Sequence, residues 1–190
     1  QNDAIDVGGD MVDQPLEFAG GLKKSSYFNQ DGKVTIDDKE ALMHSSNVYM
    51  FKTALKIAGS AYTPNMTLPS DISEAGQKLR KGLNQVGLGV KTGIDLPNET
   101  SGQIEPLTDN PGNFLDLAIG QYDTYTPLQL SQYVSTIAND GYRVQPHIGL
   151  EVRDATNKDA LGPVKEKFKG DVLNKVNNTE EEVNQVQEGF

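Results

Sequence analysis

The sequence predicts a mostly α chain, and three observations carry that expectation. Apolar residues recur at three- and four-residue intervals over residues 47–59, 70–86 and 126–141, the spacing that lines one face of a helix. Helix-start signals open several segments: Asp37 with Glu40 three residues on, Thr126 before Pro127, and Thr179 with Glu182. Extended chain is expected only in residues 1–36 and from Tyr142 to Arg153.

Residues 1–36 mix paired glycines (Gly8-Gly9, Gly20-Gly21) with short apolar patches such as Leu16-Glu17-Phe18, and read as turns and extended chain without a helix. Residues 37–86 hold three helices. The Asp37/Glu40 capping box precedes Ala41-Leu42-Met43 in a short helix that stops near Ser45. A second begins near Asn47, with Val48, Phe51, Leu55 and Ala58 on its buried stripe and Gly59 at its end. A third runs from Ser70 to about Val86 on Ile72, Ala75, Leu79, Leu83 and Val86. Residues 87–125, rich in Gly, Pro, Asn and Asp, show neither periodicity. At that length they are expected to pack against something, because structureless loops rarely exceed about 12 to 15 residues. Over 126–141 the Thr126 hydroxyl caps a helix whose first turn takes Pro127, with Leu130, Tyr133, Val134, Ile137 and Ala138 expected in the core. Residues 142–177 read as extended chain followed by a polar loop over 154–170, and residues 178–190 as a helix cut off at Phe190.

Composition excludes several classes of function. A formal net charge of -10 works against nucleic-acid binding, which needs clustered Lys and Arg. There is no Cys, hence neither a disulfide framework nor a thiol nucleophile, and the two His residues, His44 and His147, are far apart, so no metal or other cofactor is expected. No apolar run approaches the roughly 20 residues of a membrane span, and Gln1-Asn2-Asp3-Ala4 has no basic start like that of a signal peptide.

The chemistry-bearing candidate is Ser45-Ser46-Asn47, on the turn between the first two helices. A hydroxyl and an amide two residues apart can both face one cleft, relay a proton and hold a substrate carbonyl, while the residue between them points away. Ser-x-Asn is one of three boxes used by penicilloyl-serine enzymes, the others being a Ser-x-x-Lys nucleophile and a Lys-Thr-Gly strand. The bland alternative is that Ser45 or Ser46 only caps the following helix. No Ser in the 190 residues is followed three positions later by Lys. Lys91-Thr92-Gly93 matches the third box in letters, but it lies between Gly87-Leu88-Gly89 and Ile94-Asp95-Leu96-Pro97, so it reads as a structural turn rather than a substrate-facing strand. Asp37, Asp38 and Glu40, and Glu180 to Glu182, read as first-turn carboxylates that complement helix dipoles. His44 reads as a helix-end residue, and Asn65, Asn98 and Asn177, each in an Asn-x-Thr triplet, as turn chemistry.

Three collinear blocks then carry a resemblance: Ala41-Leu42-Met43-His44-Ser45-Ser46-Asn47-Val48-Tyr49-Met50; Gly87-Leu88-Gly89 with Thr92-Gly93-Ile94-Asp95-Leu96-Pro97; and Ala118-Ile119-Gly120-Gln121-Tyr122-Asp123 with Tyr125-Thr126-Pro127-Leu128-Gln129-Leu130 through Ile137-Ala138-Asn139-Asp140-Gly141. Together they resemble class B penicillin-binding proteins, most nearly the 2B type, the division-associated D,D-transpeptidases of Gram-positive bacteria. The resemblance implies that residues 1–190 are an internal part of a transpeptidase domain: the helical subdomain of the α+β, β-lactamase-like fold, without most of its central antiparallel sheet. It implies that Ser45 shuttles a proton between lysines and leaving group, that Asn47 hydrogen-bonds the acyl-donor peptide or β-lactam side chain, and that Ser46 is an outward spacer. Gln121, Tyr122 and Thr126 would be scaffold near the cleft. The nucleophile and the true Lys-Ser/Thr-Gly strand would lie outside these residues, so this chain alone is expected to be inactive. Implied partners are peptidoglycan stem peptides, β-lactams and division proteins. The implied place is the extracellular face of the bacterial cytoplasmic membrane, through an anchor not in this chain. The rival expectation is a non-catalytic helical interaction or scaffold module of the cell-wall synthesis machinery, and a further one is non-covalent peptidoglycan binding.

Overall fold

The computed structural model describes residues 5–107, 110–157 and 159–190; the amino-terminal Gln1 to Ala4 read for an export signal lie outside them. Among the described residues there are six α-helices and eight short strands. The mostly α expectation is therefore corrected to a mixed α and β architecture. Four two-stranded antiparallel ladders account for the strands: β1 (Met11–Asp13) with β4 (Val34–Ile36), β2 (Leu16–Glu17) with β3 (Lys23–Lys24), β5 (Tyr142–Val144) with β8 (Val172–Lys175), and β6 (Glu151–Arg153) with β7 (Val164–Lys167). Each strand is two to four residues long, too short for period-2 alternation to stand out in sequence.

Helix α1 (Asp38–Met43) is held by a reciprocal capping box between Asp37 and Glu40. Helix α2 (Asn47–Ile57) is the hub of the core. Its Val48, Phe51, Ala54 and Leu55 pack with Leu16 and Phe18 from β2 and its edge, with Ile72 and Ala75 at the start of α3 (Ser73–Gln85), and with Phe114 and Leu115 of α4 (Pro111–Ala118). A smaller cluster joins Ile36, Ala41 and Tyr49, flanked by Ile5 and Met11. Tyr49 donates its phenol proton to the Gly9 carbonyl at 2.7 Å, and its pKa is pushed up to about 12, first by burial and then by Asp38, Asp37 and Asp10.

The 87–125 stretch is not structureless throughout, because it contains α4. Asn110 caps that helix and Pro111 takes its first position. The 154–170 loop likewise contains β7. Helix α5 (Pro127–Ala138) starts with a capping box between Thr126 and Gln129, but it buries a different face from the one expected. Leu130 is 47% and Val134 52% exposed, whereas Gln129, Gln132 and Thr136 are buried. The reason is hydrogen bonding. Gln129 Nε2 donates to the carbonyls of Val90 and Ser101, and Gln132 Nε2 to those of Thr92 and Val144. The glutamines thereby satisfy carbonyls of the Gly-rich segment, which has no regular ladder of its own, and one at the end of β5.

Helix α6 (Glu180–Gly189) begins with a third capping box, Thr179 with Glu182, and packs on α1. Among the described residues no helix is long and apolar enough to cross a membrane.

Candidate functional site

The Ser-x-Asn turn is built by ending one helix and starting the next within three residues. At the end of α1 the Ser45 amide donates to the Leu42 carbonyl at 3.0 Å and the Ser46 amide to Ala41 at 2.8 Å, the paired bonds of a Schellman exit. That exit requires a left-handed residue, usually glycine, and here it is Ser45, with φ of 54°. Holding an L-residue with a Cβ in this region costs about 1 kcal/mol or more.

Ser46 then opens α2. Its hydroxyl accepts the Tyr49 amide at 3.0 Å, the standard N-cap bond. The two sequence readings of the turn are thus divided among its residues: Ser46 is the cap, and Ser45 and Asn47 are left to face elsewhere. Ser46 is not an outward spacer. It is 1% exposed, and its hydroxyl donates to the Asp13 carboxylate. Ser45 is exposed, and among the described residues no side chain hydrogen-bonds its hydroxyl. Asn47, the first helical residue, is half-buried, and its Nδ2 stands 3.5 Å from the Ser25 carbonyl, at the limit of a hydrogen bond. An exposed hydroxyl and an adjacent carboxamide, both fixed at the N-terminal end of a helix packed into the core, can exchange a proton and offer an N–H to a substrate carbonyl.

The rim of this turn is formed by residues 25–29. Phe28 stacks on His44 with ring centroids 5.1 Å apart, so the His44 ring is engaged by an aromatic neighbour beside Ser45. Tyr27 is 87% exposed at the tip of the same loop. Asp13 and Ser26, which meet the Ser46 hydroxyl, and Asn29, which donates to Asp13, were not marked by any sequence signal, since nothing in the local pattern around them announces a contact with residues 45–47.

Lys91-Thr92-Gly93 belongs to no strand among the described residues. Thr92 is fully buried; its hydroxyl and amide both meet Glu99 Oε1 at 2.5 Å, and the Gly93 amide meets Glu99 Oε2 at 3.1 Å. Burial opposes ionisation of Glu99, but these hydrogen bonds, with Lys91, outweigh it and hold the carboxyl below its usual range. Thr92 and Gly93 are therefore turned inward onto a carboxylate of their own loop, while Lys91 is exposed. Asp95, a few residues on, accepts the amides of Gly149 and Ile148 at 2.8 Å each, and these hold its carboxyl low as well. His147 Nδ1 lies 2.8 Å from the Gly149 carbonyl, a contact that requires the proton on Nδ1.

Gln121 is exposed, Tyr122 donates to the Pro106 carbonyl at 2.7 Å, and Thr126 caps α5. Between them Asp123, whose side chain is fully buried, forms a bidentate pair with Arg80 at 2.8 and 3.0 Å and accepts the Glu105 amide. Asp37, Asp38 and Glu40 sit in the first turn of α1 or at its cap, and Glu180 to Glu182 in that of α6. Asn65 and Asn98 occupy left-handed turn positions, with φ of 60° and 61°.

An apolar groove of about 350 Å³ lies between α1, α2, α5 and α6 and is lined by Leu42, Tyr49, Ile137, Val183 and Val186 among others. Neither Ser45 nor Asn47 lines it.

The family model for the penicillin binding protein transpeptidase domain matches residues 1–190. Penicillin-binding protein H of Bacillus subtilis (strain 168) is 51% identical over 180 residues, covering 94% of this chain and 25% of that protein. Penicillin-binding protein 2B of Streptococcus pneumoniae (strain D39) is 38% identical over 192 residues, covering 100% of this chain and 28% of that protein. The solved structure of penicillin-binding protein 2B from Streptococcus pneumoniae strain 5204 has the same fold over 100% of this chain and 31% of its own, with a TM-score of 0.94 at 40% identity. The chain spans about a quarter of the length of the curated relatives it matches. Full coverage by the family model, at these identities and this structural agreement, shows that the chain belongs to the penicillin-binding protein transpeptidase domain family of the class B proteins.

Proposed function

We propose that these residues supply the Ser-x-Asn box of a peptidoglycan D,D-transpeptidase that cross-links stem peptides through an acyl-serine intermediate and is inhibited by β-lactams. The observation that carries this reading is the fused turn, which buries Ser46 as a cap and leaves Ser45 exposed and Asn47 half-buried, two residues apart. In acyl transfer a nucleophilic serine, supplied from outside these residues, forms an ester with the donor peptide and expels the terminal amino acid as an amine. Ser45 passes the nucleophile's proton toward that amine, and Asn47 donates an N–H to the donor peptide's backbone carbonyl. By the same contacts Asn47 holds the amide side chain of a β-lactam. The place of action is the outer face of the bacterial cytoplasmic membrane, with division proteins as partners.

Residues 1–190 alone do not acylate, because they contain no Ser-x-x-Lys and catalysis by such a unit collapses when its nucleophile is lost. Labelling with a fluorescent penicillin tests both statements. The 190-residue chain takes no covalent label, a polypeptide of the relatives' full length containing it takes one equivalent, and Ser45→Ala in the longer polypeptide slows acylation by about 100-fold. Stoichiometric labelling of the 190-residue chain, or native acylation by Ser45→Ala, overturns the reading.

One observation favours a second reading, a non-catalytic interaction module: the apolar groove between α1, α2, α5 and α6 lies apart from Ser45. That module requires a self-sufficient core. Cooperative thermal unfolding of the isolated chain, combined with a full-length polypeptide that takes no penicillin, would establish it in place of the enzyme.

A further inference from the structure

Asp13 ends β1 and is 1% exposed. A carboxylate at such depth needs partners, and all of those it has lead to the Ser-x-Asn turn or to the loop beside it. Its Oδ2 accepts from the hydroxyls of Ser26 and Ser46, both at 2.5 Å, and its Oδ1 from the Asn29 amide at 2.9 Å. Each hydroxyl in turn accepts a backbone amide from the first turn of α2: Val48 N–H to Ser26 Oγ at 3.1 Å, and Tyr49 N–H to Ser46 Oγ at 3.0 Å. Both hydroxyls donate their hydrogen bonds to Asp13, so the oxygens of both serines turn their lone pairs to the helix. Bonds to an ionised acceptor are short and strong, and negative charge is favoured at a helix N-terminus. Lys52, donating to the Val12 carbonyl at 2.5 Å, brings a cation close to the same carboxylate.

We propose that Asp13 is a positioning residue for acyl transfer: through Ser46 and Ser26 it locks the start of α2 and so holds Ser45 in its left-handed conformation with Asn47 beside it. The proposal rests on the acyl-serine reading given above. The cap alone explains why Ser46 is a serine. It does not explain a second hydroxyl, from residue 26, on the same carboxylate oxygen. A turn tied at Ser46 Oγ on one side and at the α1 carbonyls on the other has no slack through which Ser45 could relax to negative φ. Without Asp13 the cap keeps one bond and loses its fixed direction. Displacements of about 1 Å at a reacting group reduce rates by up to about 100-fold.

The test is the second-order rate of acylation by benzylpenicillin, in a polypeptide of the relatives' full length containing these residues, measured well below the melting temperature. Asp13→Ala is expected to slow acylation by about 10-fold or more. Asp13→Asn keeps an oxygen that both serines can reach, and is expected to stay within about threefold of native. Ile72→Ala truncates the core at the start of α3 and serves as the stability control: it lowers the melting temperature and leaves the rate unchanged. If Asp13→Ala gives no folded protein, Ser26→Ala decides, with an expected loss of several-fold. Native rates in Asp13→Ala, or in Ser26→Ala where that variant decides, or a loss no greater than in Ile72→Ala, overturn the positioning role while leaving the acyl-serine reading intact. A native polypeptide that takes no penicillin overturns both.

Discussion

Helices α2 and α5 are nearly equal in length, at 11 and 12 residues, both are capped by a hydroxyl, and both carry apolar residues at helical spacing. Inside the fold they behave oppositely. In α2 the apolar stripe is the buried one, whereas in α5 the buried stripe is Gln129, Gln132 and Thr136 and the apolar residues Leu130 and Val134 face outward. The contrast teaches that periodicity locates a helix and its faces, but the neighbours decide which face is covered. Helix α2 meets other apolar elements. Helix α5 meets a Gly-rich segment whose carbonyls have no ladder partners, and covering those with apolar side chains would leave them unpaired.

The largest effect is expected at α2. Phe51→Ala removes a side chain that is 1% exposed at the centre of the main cluster, and should lower stability by about 4 kcal/mol, read by chemical denaturation. A loss below about 1 kcal/mol would mean that α2 is not the hub. The matching change in α5 is Gln129→Leu. It adds apolar character to a buried position, yet it should cost about 2 kcal/mol, because the carbonyls of Val90 and Ser101 and the Thr126 amide lose their partner. A neutral or stabilising Gln129→Leu would break the contrast outright.

The Gly-rich segment that α5 supports can be probed by acid. Glu99 and Asp95 both have carboxyl pKa values held below their usual range. A depressed carboxyl contributes stability that is present above its ordinary pKa, about 4, and is lost as pH falls through the lower folded value. The amide resonances of Thr92 and Gly93, bonded to Glu99, and of Ile148 and Gly149, bonded to Asp95, should therefore titrate with midpoints below those of exposed carboxylates. Glu99→Gln should flatten the acid limb of the stability curve. Midpoints at or above the ordinary values would show that the loop is not held by these bonds.

The same contrast separates what was legible in the sequence from what was not. Asp37 with Glu40, Thr126 before Pro127 and Thr179 with Glu182 signal local bonds, which depend on three or four consecutive residues, and those bonds form. Helix α4 was hidden because its eight residues follow a Gly- and Pro-rich stretch, although Asn110-Pro111 is a start signal of the same kind as Thr126-Pro127. The short ladders were hidden because their pairing joins segments such as 11–13 and 34–36, a contact no local window contains. At the turn, Ser45-Ser46-Asn47 could be found by spacing alone, but the depth of Ser46 could not. Its buried hydroxyl meets Asp13, which lies 33 residues away on β1, a strand that packs against α2.

The smallest effect should come from the apolar stripe that α5 leaves outside. Leu130→Ser and Val134→Ser remove side chains that are half exposed, so they take little additional area out of the packed interior. Each should shift stability by less than about 0.5 kcal/mol in the isolated chain. An apolar side chain that is truly packed costs several times more when it is made polar, so the size of the shift reads directly which face of α5 is covered. A loss above about 2 kcal/mol at either position would put Leu130 and Val134 back in the core. It would also require Gln129 and Gln132 to release the carbonyls of the 87–103 segment, and Gln129→Leu would then cost little in the same assay.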